Sequence, residues 1–214
     1  MKLYVITAPP SLRGIYESWP ACEKAVAGVH GARYQSVASR PEAEAILRGE
    51  VVTLPVGVYA FIDGNEQGGV GVVFVKQRAG AAPVVKEVST SVAQVFKSST
   101  IVGLDPAGIL DAQRRLRNIL AELAALYYAI QHVAPGTPLT IVHDYDGLAH
   151  WMQGRWQIRD PLVHDIVRAC QRAVTARELS IAYHHQLGHQ PVSFNEFARY
   201  NGRADALATE GGRR

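Results

Sequence analysis

The chain is poor in the residues that build cross-linked or thiolate-ligated scaffolds. It has two cysteines, Cys22 and Cys170, far apart and in no metal-ligand spacing. That excludes a disulfide framework and a cysteine zinc module, and both are read as free thiols in a reducing compartment. No apolar run approaches the ~18 to 20 residues of a membrane span. The opening "MKLYVITAPP" is too short an apolar run for a signal peptide. The expectation is a cytoplasmic monomer that meets no membrane. Neither sign of charge dominates: 22 Lys and Arg stand against 19 Asp and Glu, a formal charge of +3. Such a balance permits an anionic partner without demanding one. With 48% hydrophobic and 19% charged residues, the chain can bury a core and is not of disordered composition. No internal repeat or low-complexity run breaks it up.

What is present divides into two parts. Residues 1–47 read as a compact α/β unit: a strand at "LYVIT", a helix at "SWPACEKAVAG", a strand at "ARYQSVAS" and a helix at "SRPEAEAILRG". Ser18 and Ser39 are the expected N-caps, each with a proline in the first turn, and Gly28 and Gly49 are the stops. Residues 48–56 form a short, partly apolar linker. From residue 57 to 214 the pattern changes. "VYAFID" and "GVGVVFVKQ" read as antiparallel strands, and "PVVKEVSTSVAQVF" as a third. "LDPAGILDAQRRLRNILAELAALYYAIQHVAPG" reads as one long helical stretch, with apolar residues three and four apart. "PLTIVHD" is a buried strand. Helices follow over "DGLAHWMQGRW" and "DPLVHDIVRACQRAV", then a strand at "LSIAYHHQ" and a helix at "FNEFARYNGRADALATE". The order implies a mixed five-stranded sheet flanked by helices. A helical crossover would set the fourth strand parallel to the first.

The chemistry lies in four acids in apolar settings. Asp63 closes "YAFID" and Asp144 closes "LTIVHD", so parallel neighbours would bring both carboxylates to one sheet edge. Two carboxylates there repel unless a proton or cation joins them. Glu122 lies beside the stripe Ile119, Leu123 and Leu126, and Asp205 lies between alanines in "RADALA". Taken singly, a strand-end aspartate is more often a turn former, a glutamate in an alanine-rich helix more often faces solvent, and Asp205 more often caps or pairs at the surface. A common character and one sheet edge favour a joint site. Hard oxygen donors without Cys or His point to Mg2+, with Mn2+ the alternative, rather than zinc. Two such ions held by carboxylates suit phosphodiester hydrolysis.

"FIDGNEQGGVGVVF", "NILAELAALYYAI", "IVHDYDGLAHW" and "YNGRADALA", in this order, resemble type 1 ribonuclease H over about residues 57–210. The resemblance implies a ribonuclease H-like fold. It also implies cleavage of the RNA strand of an RNA–DNA hybrid, leaving 5′-phosphate and 3′-hydroxyl ends. It places the family's metal ligands at Asp63, which would bridge two Mg2+ ions, Glu122, Asp144 and Asp205, with Asp146 as the rival to Asp144. It implies substrate contacts at Gly64, Asn65 and Asn201. It puts a proton-handling histidine at His189, with His184 and His185 as rivals. The first unit resembles the small hybrid-binding domain found in front of this nuclease, through "GIY", Ser18-Trp19, Cys22, "GARY" and "EAE". There the resemblance implies DNA-strand contacts by Trp19 and Tyr34, with Arg33 beside them. Both aromatics would otherwise simply fill a small core.

Two departures matter. Residues 1–47 hold five Lys and Arg against four Glu, and Gln35-Ser36 stand where relatives carry lysines. The stretch after Trp151 has no lysine-rich handle and offers only Arg155, Arg159, Arg168, Arg172 and Arg177. Phosphate binding draws on such cations. The expectation is modest hybrid affinity, or a first unit turned toward a protein partner. The alternative functions are a non-catalytic hybrid-binding protein and a related nuclease acting on another nucleic acid.

Overall fold

The computed structural model describes residues 3–37, 39–50, 52–97, 106–186 and 195–213. By contact density the chain divides into two compact units, Met1–Leu54 with His189–Arg199, and Pro55–Gly188 with Tyr200–Arg214.

The first unit is a three-stranded antiparallel sheet in the order β2–β1–β3 with two helices. Its strands are β1 (Leu3–Ala8), β2 (Gly14–Tyr16) and β3 (Arg33–Val37), and its helices α1 (Trp19–Val26) and α2 (Arg40–Arg48). The caps stand where the sequence puts them. Ser18 and Ser39 accept from the Ala21 and Glu42 amides, both at 3.4 Å, and Gly49 ends α2 in the left-handed region. Leu3, Val5, Val37, Ala43 and Ile46 make the core. Strand β2 was not expected: three half-buried residues show no alternation to read.

The second unit is a five-stranded mixed sheet in the order β6–β5–β4–β7–β8, flanked by helices, the arrangement that the order of elements in the sequence implies. Strands β4 (Gly57–Gly64), β5 (Gly69–Arg78) and β6 (Ala81–Ser91) form an antiparallel meander. Helices α3 (Val92–Lys97), α4 (Pro106–Leu116) and α5 (Asn118–His132) come before β7 (Pro138–His143). Strand β7 then lies parallel to β4 on its other side. After it come α6 (Asp146–Met152), α7 (Pro161–Ala176), the parallel strand β8 (Ser180–His185) and α8 (Glu196–Gly211). Buried valines and isoleucines of β4, β5 and β7 meet the alanine- and leucine-rich α5 and the inner face of α7.

Two expectations need correction. The third strand does not run through "SVAQVF"; it ends at Ser91, whose Oγ accepts from the Gln94 amide at 3.4 Å and starts α3. The long helical stretch is two helices, broken at Arg117 with φ of 52°. A tertiary tie holds that break. Gln113 Nε2 donates to the Arg117 carbonyl at 2.8 Å and to the Glu66 carbonyl at 3.1 Å, while Arg117 pairs with Glu66 at 3.4 Å.

Candidate metal centre

Strand register does the first part of the assembly. Phe61 pairs with Val142 across the parallel β4–β7 ladder, so Asp63 and Asp144 each lie two residues beyond that pair. Asp63 is not at a strand end as expected, because β4 continues to Gly64 and Asp63 still pairs with Gly71.

Close helix approach does the rest, and it depends on residues without side chains. A Cβ on Gly64 would fall inside the van der Waals envelope of the Ala121 carbonyl carbon and the Glu122 amide. A Cβ on Gly71 would strike the Ala204 carbonyl, one residue before Asp205. Glycine inside a strand is otherwise a weakness, and here it lets helix backbone lie directly on the hairpin. Thus α5 delivers Glu122 and α8 delivers Asp205 to the strand that holds Asp63.

Ligand oxygens of Asp63, Glu122 and Asp144 all lie within 4.8 Å of one another. Asp63 is 7% exposed and Glu122 2%, so water does little to dilute their charge. Burial, then the charges of Asp144 and Asp205, push Asp63 up to about 7. Burial, then Asp63 and Asp144, push Glu122 well above the carboxylate range. The Gly64 amide opposes both shifts. Asp205, half-buried, stands outside the close set of three but near enough to act on Asp63. Glu122 Oε2 is buried without a hydrogen-bond partner. An orphaned carboxylate oxygen inside an all-oxygen donor set fits a hard divalent cation.

Around the acids, His185 Nε2 donates to the Asp144 carbonyl at 2.9 Å and lies 3.3 Å from Asp146 Oδ1. Since a carbonyl only accepts, the proton on that nitrogen is assigned. By the same logic His143 Nδ1 donates to the Tyr145 carbonyl at 2.9 Å, and burial followed by the His185 charge lowers its pKa to about 4. Asn65 fastens the hairpin tip. Its Nδ2 donates to the Ala208 carbonyl at 2.8 Å, and its Oδ1 accepts from the Gln67 and Gly69 amides at 3.1 and 2.9 Å. Asn201 is buried on α8 one turn before Asp205, with Oδ1 unpartnered. His189 lies outside the described residues. Sequence reasoning missed Tyr145, whose hydroxyl is raised first by burial and then by Glu122. It also missed the packing role of Gly71, for which an isolated glycine within a strand was the available signal.

In the first unit Tyr4, Trp19 and Tyr34 form a row, with ring centroids 5.5 and 5.6 Å apart. Trp19 and Tyr34 are 38% and 37% exposed, so they do not simply fill the core. Arg33 beside them is also exposed. No described helix is long and apolar enough to cross a membrane.

Residues 2–47 match the family model described as the ribonuclease H1 N-terminal domain. Among solved structures, the chain is similar to LC11-RNase H1, isolated from compost by a metagenomic approach. Identity is 16%, over 74% of this chain and 97% of that one, with a TM-score of 0.49. It is also similar to RNase H1 from the halophilic archaeon Halobacterium salinarum, at 20% identity over 72% and 96% of the two chains, TM-score 0.43. LC11-RNase H1 in complex with an RNA/DNA hybrid matches at 16% identity over 73% and 95%, TM-score 0.44.

Proposed function

We propose that this chain is an endoribonuclease that hydrolyses the RNA strand of RNA–DNA hybrids with Mg2+, Mn2+ being the alternative. One observation carries the proposal: the buried carboxylates of Asp63 on β4 and Glu122 on α5 and the half-buried one of Asp144, just past β7, converge within 4.8 Å, with Asp205 on α8 near enough to act on Asp63. Asp63, Glu122 and Asp144 would hold the cation, and Asp205 would complete a second position beside Asp63. Bound there, divalent ions would activate a water for in-line attack on the phosphodiester and stabilise the leaving oxygen, giving 5′-phosphate and 3′-hydroxyl ends. The chain's own contribution is charge held in place. With its pKa at about 7, Asp63 exchanges a proton for a cation near neutrality at little cost. His185 fixes the Asp144 peptide, so the carboxylate is presented from a pinned backbone. The hairpin backbone at Gly64 and Asn65 and the buried amide of Asn201 are the candidate contacts to the RNA strand and its 2′-hydroxyls. The exposed row Trp19–Tyr34, with Arg33, offers a stacking surface to the hybrid, and the match of residues 2–47 supports that reading.

The test is an end-labelled RNA–DNA hybrid with Mg2+, run beside double-stranded RNA and double-stranded DNA. Wild type should cut the RNA of the hybrid alone, and Asp63→Asn should abolish cutting. Near-wild-type cleavage by that variant would remove the metal site. Equal cutting of all three substrates would remove hybrid specificity, and binding without cleavage would leave a hybrid-binding protein.

A further inference from the structure

The first unit takes in a second piece of chain, His189–Arg199, far along the sequence from Met1–Leu54. Helix α8 is continuous across that division. Its first turn, from Glu196, belongs with the first unit, and from Tyr200 onward it belongs with the second. Asn201 and Asp205, which the metal centre draws from α8, lie in the later part. The start of the helix that delivers them is therefore held by a different unit.

That hold consists of hydrogen bonds within the first unit. Val52 and Asn195 form a parallel bridge, and the Glu196 amide donates to the Val52 carbonyl at 2.9 Å. The Leu54 amide donates to Glu196 Oε2 at 2.9 Å, and Arg199 meets Glu196 Oε1 at 3.1 Å, so both carboxylate oxygens are engaged. Asn195 is 3% exposed and is used at both ends of its amide. Its Oδ1 accepts from the Phe197 amide at 2.8 Å, an N-cap bond. Its Nδ2 donates to Glu42 Oε1 on α2 at 3.2 Å, across 153 residues of sequence.

Starting a helix needs only the acceptor oxygen, which serine or aspartate supplies as well. The donor on Asn195 goes beyond that need, and it is spent on a carboxylate, where a hydrogen bond is strengthened by charge. We propose that Asn195 and Glu42 are positioning residues for the cleavage described under the proposed function, on which this inference rests. Their bond makes the first unit a support of the helix that carries Asn201 and Asp205. The first unit then serves the rate of cutting as well as the grip on hybrid. Asp205 lies about 15 Å beyond Asn195 at helical rise, so a start worked loose reaches Asn201 first and Asp205 next. The simpler role is a plain helix cap, and it predicts that serine serves as well as asparagine.

The test compares full-length Asn195→Ser, Glu42→Ala and Glu42→Gln with wild type. Serine keeps a capping oxygen but is too short to reach Glu42. Alanine leaves the cap and removes the partner, and glutamine keeps an acceptor oxygen. Amide hydrogen exchange without substrate, read by mass spectrometry, should be about tenfold faster at the start of α8 in Asn195→Ser and Glu42→Ala, because local opening becomes easier there. In the same two variants kcat at saturating hybrid should fall about tenfold, since small displacements of groups that position a reaction are costly in rate. Their Kd for hybrid should stay near wild type, because the Trp19–Tyr34 row is untouched. Glu42→Gln should restore most of both losses. Wild-type exchange and kcat in Asn195→Ser would reduce Asn195 to a plain cap and overturn the proposal. The same result in Glu42→Ala, a rise in Kd at unchanged kcat, or no rescue by Glu42→Gln would also overturn it. Faster exchange in the two variants, with no cutting of hybrid by wild type, would uphold the tie and remove the nuclease reading instead.

Discussion

Replacing Asp63 by Asn should stabilise the cation-free protein, and the gain should grow with pH. The carboxyl of an unperturbed aspartate titrates at 3.8, and that of Asp63 in the fold at about 7. Its folded pKa is raised, so between these values the native state holds a proton that the unfolded chain has released. Native stability therefore falls as pH rises through this window and levels off above it. Linkage over that shift gives a penalty of about 0.5 kcal/mol near pH 4, and about 4 kcal/mol near pH 8. An amide of the same shape carries no such penalty. In EDTA, urea unfolding followed by far-ultraviolet circular dichroism should show Asp63→Asn more stable than wild type by roughly 1 to 4 kcal/mol near pH 8, with the gap mostly closed near pH 4. Saturating Mg2+ should stabilise wild type near pH 8, because the cation replaces the missing proton, and should do much less for the variant. A gap of equal size at both pH values, or a variant less stable at both, would refute the reasoning. It would mean that Asp63 is not held in a cluster of like charge.

Glu122→Gln should likewise raise the apo Tm at neutral pH, since burial and two neighbouring carboxylates disfavour the charged form of that group in the fold, and should shrink the Mg2+-induced rise in Tm. Gly64→Ala should cost about 1 to 3 kcal/mol by forcing α5 off the hairpin, and should reduce cleavage by displacing Glu122. Full folding stability and activity in that variant would show that α5 can move without consequence. Trp19→Ala combined with Tyr34→Ala in the full chain should weaken hybrid binding about tenfold or more, at roughly 1 to 3 kcal/mol per stacked base, while kcat at saturating hybrid stays near wild type. An unchanged Kd in a filter-binding titration would assign the exposed aromatics to another partner.

Much of the architecture was legible because local chemistry and tertiary packing agree. Ser18, Ser39 and Gly49 mark helix ends by side-chain and backbone geometry that depends on nothing distant. The crossover from β6 through helices to β7 could be inferred from order alone, and with it the meeting of Asp63 and Asp144. The third strand was misread although Ser91-Val92-Ala93-Gln94 carries a capping signature; the alternation of valines around it outweighed the cap. The break at Arg117 had no comparable signal. Every residue from Gln113 to Leu120 is a tolerable helix former, and the positive-φ break at Arg117 is held by Gln113 and by Glu66, a partner 51 residues away along the chain from Arg117. Long-range ties of this kind override propensity without leaving a mark at the site of the override.

The same contrast divides the acids. Asp63 and Asp144 are brought together by strand register, which sequence order nearly dictates. Glu122 and Asp205 come from helices, and a helix sets its own direction but not its distance from the sheet. That distance is set on the strands, at Gly64 and Gly71, where the sheet offers no Cβ and helix backbone fills the space. Residues that carry no functional group thus decide whether the carboxylates lie close enough to share an ion or stand apart. At these positions "GNEQGGVG" is constrained by packing as well as by turning. Its Asn65 is spent on holding α8 through the Ala208 carbonyl rather than left free. A side chain added at Gly71 would move Asp205 away from Asp63 while leaving all four acids in the sequence, so presence of the acids is necessary but is not by itself a sufficient sign of a working centre.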